Sequence, residues 1–97
     1  MSADEEPPRT ACTVRVFGRV QGVAFRWHAR ERARSLGVMG RVRNLRDGSV
    51  EVHAEGRASQ VDELVEWLRR GPALARVERL ERAPAQPEGS QSFEISA

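Results

Sequence analysis

Apolar and polar positions alternate from Cys12 onward: Cys12, Val14 and Val16 fall on one side, Thr13 and Arg15 on the other. The β-branched and aromatic make-up of Thr13–Phe17 fits a half-buried strand, from about Cys12 to Gly18. The period then changes. Phe25, Ala29, Ala33 and Leu36 recur at helical spacing, which predicts a helix ending near Ser35–Leu36. Gly37 follows, a residue suited to a left-handed C-cap. Val38 to Asn44 reads as a second strand, with Val38, Val42 and Asn44 of like parity, and Asp47-Gly48 as a tight hairpin turn. Val50–Ala54 alternates as a third strand with one buried face, which puts His53 on its solvated side, and Gly56 ends it.

Farther on, Ser59-Gln60-Val61-Asp62 resembles a capping box with Asp in place of Glu. Val61, Leu64, Val65 and Leu68 form the core stripe of a second helix, and Gly71-Pro72 stops it. Trp67 reads as a half-buried flank of that helix. Ala75–Ala83 breaks strict alternation, as a strand with a bulge or an edge position does. Pro84–Ser92 is a loop, and Phe93 and Ile95 suggest a short closing strand. Residues 1–10 are polar, acidic and aperiodic and read as a disordered tail, leaving one domain over 11–97.

The element order is β-α-β-β-α-β plus a short last strand. The predicted fold class is α+β, a ferredoxin-like sandwich: an antiparallel sheet with two helices on one face. Right-handed crossovers set strands one and two parallel, with strand three between them. Their C-terminal ends then meet one edge of the sheet, bringing Asn44 toward the loop after strand one.

Composition narrows the function classes. The chain has 97 residues and a formal net charge of +2, enough for one domain with a modest core. All 16 basic residues are arginine, interleaved with acidic ones, so an arginine here is informative by position and not by type. No basic stripe argues for nucleic acid. No apolar run is long enough to span a bilayer, and the acidic N-terminus has no signal-peptide character. A lone cysteine, Cys12, excludes an internal disulfide and suits a cytoplasmic setting.

The chemistry concentrates in Gly18-Arg19-Val20-Gln21-Gly22-Val23-Ala24-Phe25-Arg26, between the first strand and the first helix. Two glycines let the backbone bend. No Ser, Thr, Asp or Asn stands at the N-cap, so the first helical amides lack a side-chain acceptor. With the loop amides they form an anion-binding concavity at the positive end of the helix dipole. Arg26, in the first helical turn, can add a guanidinium fork suited to phosphate. The pattern is neither a Walker A loop nor a dinucleotide loop. Cys12 lies too far upstream for thiolate chemistry in the loop, and no carboxylate occurs between Gly18 and Arg30. No His/Asp/Glu cluster has metal-ligand spacing. Amides, one guanidinium and the Asn44 carboxamide can stabilise phosphoryl charge, but they cannot protonate a poor leaving group. A mixed carboxylic-phosphoric anhydride, whose carboxylate leaves unaided, fits that set. Asn44 would hold the attacking water in line, and a substrate phosphate oxygen would take its proton.

These residues resemble the acylphosphatase family. The resemblance rests on Gly18-x-Val20-Gln21-Gly22-Val23-x-Phe25-Arg26 and on Gly40-x-Val42-x-Asn44 followed by Asp47-Gly48. Val50-Glu51-Val52, Glu55-Gly56, Gly71-Pro72, Ala75-Arg76-Val77 and Phe93-Glu94-Ile95 support it. It implies a small, cytosolic hydrolase with no cofactor or metal, acting on acyl phosphates and releasing carboxylate and inorganic phosphate; a monomer is the default expectation for a chain of this size. It assigns catalysis to Arg26 and Asn44, and phosphate binding to the backbone amides of Arg19, Val20, Gln21, Gly22 and Val23. Arg41 departs from the aromatic residue frequent in the family. Trp27-His28 is polar and bulky for a helix start, and both departures bear on substrate preference.

The rival reading is a non-catalytic ferredoxin-like module that binds a phosphate ligand, such as a carbamoyl phosphate-binding domain of a larger enzyme. The short chain, ending just after its last strand, favours the free-standing enzyme. An RNA-binding reading needs aromatics on the open sheet face, and Phe17 alone among Arg15, Glu51 and His53 makes a poor platform.

Overall fold

A computed structural model of the chain describes residues 9–97. Its elements are β1 (Arg9–Arg19), α1 (Phe25–Leu36), β2 (Met39–Asn44), β3 (Val50–Arg57), α2 (Ala58–Arg70), β4 (Arg76–Pro84) and β5 (Phe93–Ile95). The expected tail lies outside the described residues except for Arg9 and Thr10, which belong to β1 and pair with Arg57 and Gly56.

The sheet order is β4-β1-β3-β2-β5. β1 pairs antiparallel with both β3 and β4, and β2 antiparallel with β3. β5 runs parallel to β2, so the sheet is mixed where the sequence reading expected an antiparallel one. The chain reaches β5 through the loop after β4, across the whole sheet, and that path delivers it parallel.

Two amphipathic helices close one face. Phe25, Ala29 and Ala33 of α1 and Val61, Leu64, Val65 and Leu68 of α2 pack with Val14, Val16, Val42, Val50 and Val52 of the sheet. The tilted contact of Phe25 with half-buried Trp67, ring centroids 6.0 Å apart, joins the helices. α1 ends as expected, with Gly37 left-handed at φ 72° and its amide bonded back to the last turn. The capping box does not form. β3 runs directly into α2, so Arg57 becomes the N-cap and Ser59 falls inside the first turn.

The irregular strand is β4. It lies at the sheet edge, and the register of β1 against it shifts between Phe17 and Gly18. A Cβ on Gly18 would collide with the Arg76 carbonyl oxygen, and Gly18 has φ 129°. Glycine is therefore required where β1 leaves the ladder for the loop.

The largest departure concerns the other face of the sheet. His53 is buried, not solvated. The loop from Ala85 to Ser92 folds over it, and the Glu55 carboxylate accepts from the amides of Glu88, Gly89 and Ser90 and from the Ser90 hydroxyl. His53 Nε2 lies 2.6 Å from Glu55 Oε2. Alternation shows which face of a strand a residue takes, but not whether a distant loop covers that face.

Candidate active site

β1 and β2 are parallel, so the loop after Arg19 and the end of β2 at Asn44 share one edge of the sheet. There a cavity of about 160 Å³ is lined by Val20, Gly22, Ala24, Phe25, Arg26, Trp27, Asn44 and Ile95. Arg26 and Asn44, 18 positions apart in the chain, meet in one concavity. Of the five loop residues expected to bind phosphate, Val20 and Gly22 line it. Arg19 is exposed at the end of β1, Gln21 sends its side chain to the neighbouring hairpin, and Val23 lines an adjoining groove.

The loop backbone explains the concavity. Gly22 has φ 76° and Ala24, the N-cap of α1, has φ 59°. A left-handed alanine is uncommon, and a left-handed N-cap contrasts with the usual extended one. Alternating left-handed residues turn successive amides inward to make an anion nest. No side chain caps α1, and its first backbone bond runs from the His28 amide to the Ala24 carbonyl at 3.1 Å. The amides of the first turn before His28 are thus left without intrahelical acceptors, at the positive end of the helix.

The side chains facing this nest are uncommitted. Asn44 Oδ1 is buried and has no hydrogen-bond partner among the described residues. Arg26 is half-buried, and among the described residues the ion pairs of the molecule leave it out. Among the described residues, those lining the cavity include no carboxylate, thiol or imidazole, so this donor set suits an anion and offers a cation only carbonyls and one carboxamide.

The hairpin that ends at Asn44 is braced to the loop. Gln21 Nε2 donates to the carbonyls of Leu45 and Ser49, both at 2.8 Å. Inside the turn, Asp47 Oδ1 accepts from the Ser49 amide at 2.9 Å and from its hydroxyl at 2.5 Å, and Arg15 donates to Asp47 Oδ2 at 2.7 Å. The Ser49 donors, with Arg15 adding to them, hold the Asp47 carboxyl below its usual range. The sequence reading credited Gln21 with its amide alone. Its carboxamide is the direct mechanical link between the nest and Asn44. Trp27 and Ile95 were also missed as lining residues. Ile95 reaches the cavity because β5 pairs with β2, and Arg34 anchors β5 by donating to the Phe93 carbonyl at 3.2 Å and pairing with Glu94 at 3.1 Å.

The model of the acylphosphatase family matches residues 12–95. The chain belongs to the acylphosphatase family. It is similar to the acylphosphatase of Rubrobacter xylanophilus, with 53% identity over 94 residues covering 93% of this chain and 84% of that one. It is 48% identical to the acylphosphatase of Thermococcus kodakarensis over 87 residues, covering 90% of this chain and 96% of that protein. An acylphosphatase structure from Coxiella burnetii superposes with a TM-score of 0.87 at 36% identity, covering 91% and 93% of the two chains. The match extends over nearly the whole length of small enzymes, so the protein is an enzyme of this hydrolase family. Among the described residues no helix is long and apolar enough to cross a membrane.

Among the described residues the structure does gather one set of metal-ligand types, which linear spacing did not reveal: His53, Glu55 and Glu88, with ligand atoms within 4.8 Å of one another. It lies on the sheet face away from the helices and away from the cavity. Its groups already have partners. Burial by itself would raise the Glu55 carboxyl, but the Glu88 amide, His53 and Ser90 outweigh it and hold the carboxyl at about 2. Arg41 pairs with Glu88 and already supplies that carboxylate with a counter-charge. The cluster is a fastening for the loop.

Proposed function

We propose that the protein hydrolyses the carboxyl-phosphate bond of acyl phosphates without a metal, with Arg26 and the Arg19–Val23 loop amides binding the phosphoryl group and Asn44 orienting the attacking water. The observation that carries this reading is the pairing of two groups in one small cavity that are uncommitted among the described residues: Asn44 Oδ1 without a hydrogen-bond partner and Arg26 without an ion pair. A buried carboxamide oxygen without a partner costs roughly 1–3 kcal/mol, a cost that binding a water would offset.

The phosphoryl oxygens sit among the nest amides, the first-turn amides of α1 and the Arg26 fork. Negative charge that shifts onto them in the transition state meets donors already in place. Asn44 Oδ1 accepts one proton of the water and aims its lone pair at phosphorus. The water oxygen bonds to phosphorus as the bond from phosphorus to the acyl oxygen breaks. The acyl oxygen departs as a carboxylate, which needs no proton from the protein. A phosphoryl oxygen of the substrate takes the proton of the water, and the products are carboxylate and inorganic phosphate. The reading includes a cytoplasmic monomer that needs no protein, nucleic acid or membrane partner, with the single free thiol of buried Cys12 in keeping with a reducing compartment.

The test is turnover of acetyl phosphate with a chelator present, by wild type, Arg26→Ala and Asn44→Ala. Each variant is expected to lose on the order of a hundred- to a thousand-fold in kcat while remaining folded. A folded wild type that binds phosphate and turns over no acyl phosphate would replace this reading with the binding module. Activity abolished by the chelator and restored by a divalent cation would overturn the metal-free step.

A further inference from the structure

We propose that the free edge of β4 pairs with the same edge of a second copy of this chain, antiparallel about a two-fold axis at Leu80. Each copy carries its own cavity, so turnover needs one copy, as in the reading above. The pairing adds a weak, reversible association between copies.

The backbone offers the edge. β4 ends the sheet, and among the described residues no strand lies beyond it. Ala85 donates to the Ala11 carbonyl at 3.1 Å, so Ala83, Glu81 and Arg79, at even steps back along the ladder, turn their backbone groups toward β1. Leu80 and Arg82 alternate with them and turn their amides and carbonyls outward. Such a row is a template for another strand. It is short. Gly18 pairs with Val77 and Phe17 with Arg79, which leaves Glu78 as the extra residue of a bulge, and Pro84 at the other end has no amide to give.

The side chains select the occupant. Charges guard a sheet edge when the pairing sets like against like. Here the order Glu78-Arg79-Leu80-Glu81-Arg82 is its own complement. Outward-turned residues must meet outward-turned residues, so the axis passes through a residue and not between two. On a charged residue it would set that charge against its own copy. On Leu80 it sets Leu80 against Leu80, Arg79 against Glu81 and Glu78 against Arg82. Arg79 and Glu81 lie 3.2 Å apart within one strand, and both side chains are more than half exposed. Pairing makes them a square of four alternating charges, with half-buried Leu80 covered beside it. Arg82 bonds Asp62 at 2.9 Å and keeps further guanidinium donors for Glu78.

The helices leave room. α2 packs over β4, β1 and β3, which centres it on β1, one strand in from the edge. In the pair the two α2 helices lie three strand spacings apart, about 14 Å, against a helix diameter of roughly 10–12 Å. So small a contact belongs with weak interfaces, and its Kd is expected at roughly 0.1–1 mM. The charges act mainly by fixing register and refusing other partners.

The test is sedimentation equilibrium at low salt, across concentrations spanning that Kd, for wild type, Arg79→Glu, Glu81→Arg, an equimolar mixture of the two, and the double variant. Both positions are exposed, and circular dichroism checks the fold. Wild type is expected to rise toward the mass of a dimer. Each single variant sets like charges against each other at both ends of the pair and is expected to weaken association at least about tenfold. The mixture is expected to recover it, because each chain supplies the sign the other lacks, and the double variant to recover it alone. Turnover per chain is expected to stay unchanged throughout. In wild type, salt at about 1 M shortens the screening length to about 3 Å and should weaken the pairing several-fold. A wild type that stays monomeric across the range overturns the proposal and leaves the hydrolytic reading intact. Association that the single variants keep, that the mixture fails to recover, or that strengthens with salt overturns it too, because the Leu80 register would then not be what joins the copies.

Discussion

Two polar clusters lie on opposite faces of the same sheet, and they differ in one respect that decides their use. On the outer face, Glu55 accepts from three backbone amides and a hydroxyl, with His53 at 2.6 Å and Arg41 on neighbouring Glu88. On the helix face, Asn44 Oδ1 has no partner, Arg26 has no counter-ion among the described residues, and the first turn of α1 has no cap. By residue type the outer cluster looks the more chemical, with a histidine and two carboxylates. By satisfaction it is the structural one. Buried polar groups that are fully paired hold a fold together, whereas groups left unpaired are held ready for something that arrives. Removing a residue from each cluster should therefore give opposite results.

Asn44→Ala sits at one extreme. It removes an orphaned acceptor, so the expected result is the large loss of turnover given above with no loss of stability, checked by urea unfolding alongside kinetics. Equal losses in stability and turnover would erase the distinction between the two clusters.

Glu55→Gln sits at the other. Glu55 titrates at about 2 in the folded protein against an ordinary value of 4.5. A depressed folded value means that the ionised form favours folding: the contribution is complete above about 4.5 and disappears as pH falls toward 2. It is on the order of 3 kcal/mol. The variant is expected to be less stable than wild type at pH 7 by about that amount, and the gap should close at acid pH. Turnover of the folded variant is expected to stay close to wild type. The check is urea unfolding at pH 7 and pH 2. A gap that persists at low pH would show that the loop is fastened by shape and not by the charge.

Gln21→Ala probes the seam between loop and hairpin. Two hydrogen bonds at 2.8 Å tie the nest to the strand end that carries Asn44, and without the carboxamide each carbonyl would keep only one backbone donor, Gly48 N–H on Leu45 and Leu45 N–H on Ser49. Stability is expected to fall by about 1–2 kcal/mol, and kcat by roughly tenfold because nest and carboxamide lose their fixed spacing. Gln21→Glu supplies acceptors where donors are needed and should not rescue. Rescue by glutamate would place the role of Gln21 elsewhere.

Much of this was readable in the sequence, for identifiable reasons. The helical stripes, the Asp47-Gly48 turn and the Gly37 cap are local signals, and each formed as expected. The meeting of Arg26 with Asn44 followed from topology alone, because parallel strands end on one edge. Features that depend on distant chain segments were not readable. His53 looked solvated because the loop that buries it begins more than thirty residues later. The parallel course of β5 depends on that same loop, and it brings Ile95 to the cavity. Gln21 was seen as backbone because its carbonyl partners lie 24 and 28 positions away and carry no sequence signature. The capping box failed on a nearer cause: with no loop between β3 and α2, Ser59 is already helical.

Ala24 offers the smallest effect and the finest discrimination, because it asks whether the nest is held by sequence or merely permitted by it. Its φ of 59° puts an L-residue in the left-handed region, a strain of about 1–2 kcal/mol. Ala24→Gly removes that strain but gives the unfolded chain more freedom, which costs roughly 0.5–1 kcal/mol. The net expectation is a stability gain of less than about 1 kcal/mol, read as a small rise in Tm. Turnover should fall slightly, since a glycine beside Gly22 lets the amides wander from the geometry that alanine enforces. Ala24→Val is the counter-test. A β-branched side chain is poorly tolerated at positive φ, so both Tm and turnover should drop together. If Ala24→Val were as active as wild type, the left-handed N-cap would not be what shapes the cavity, and the nest would have to be credited to Gly22 and the Gln21 brace alone.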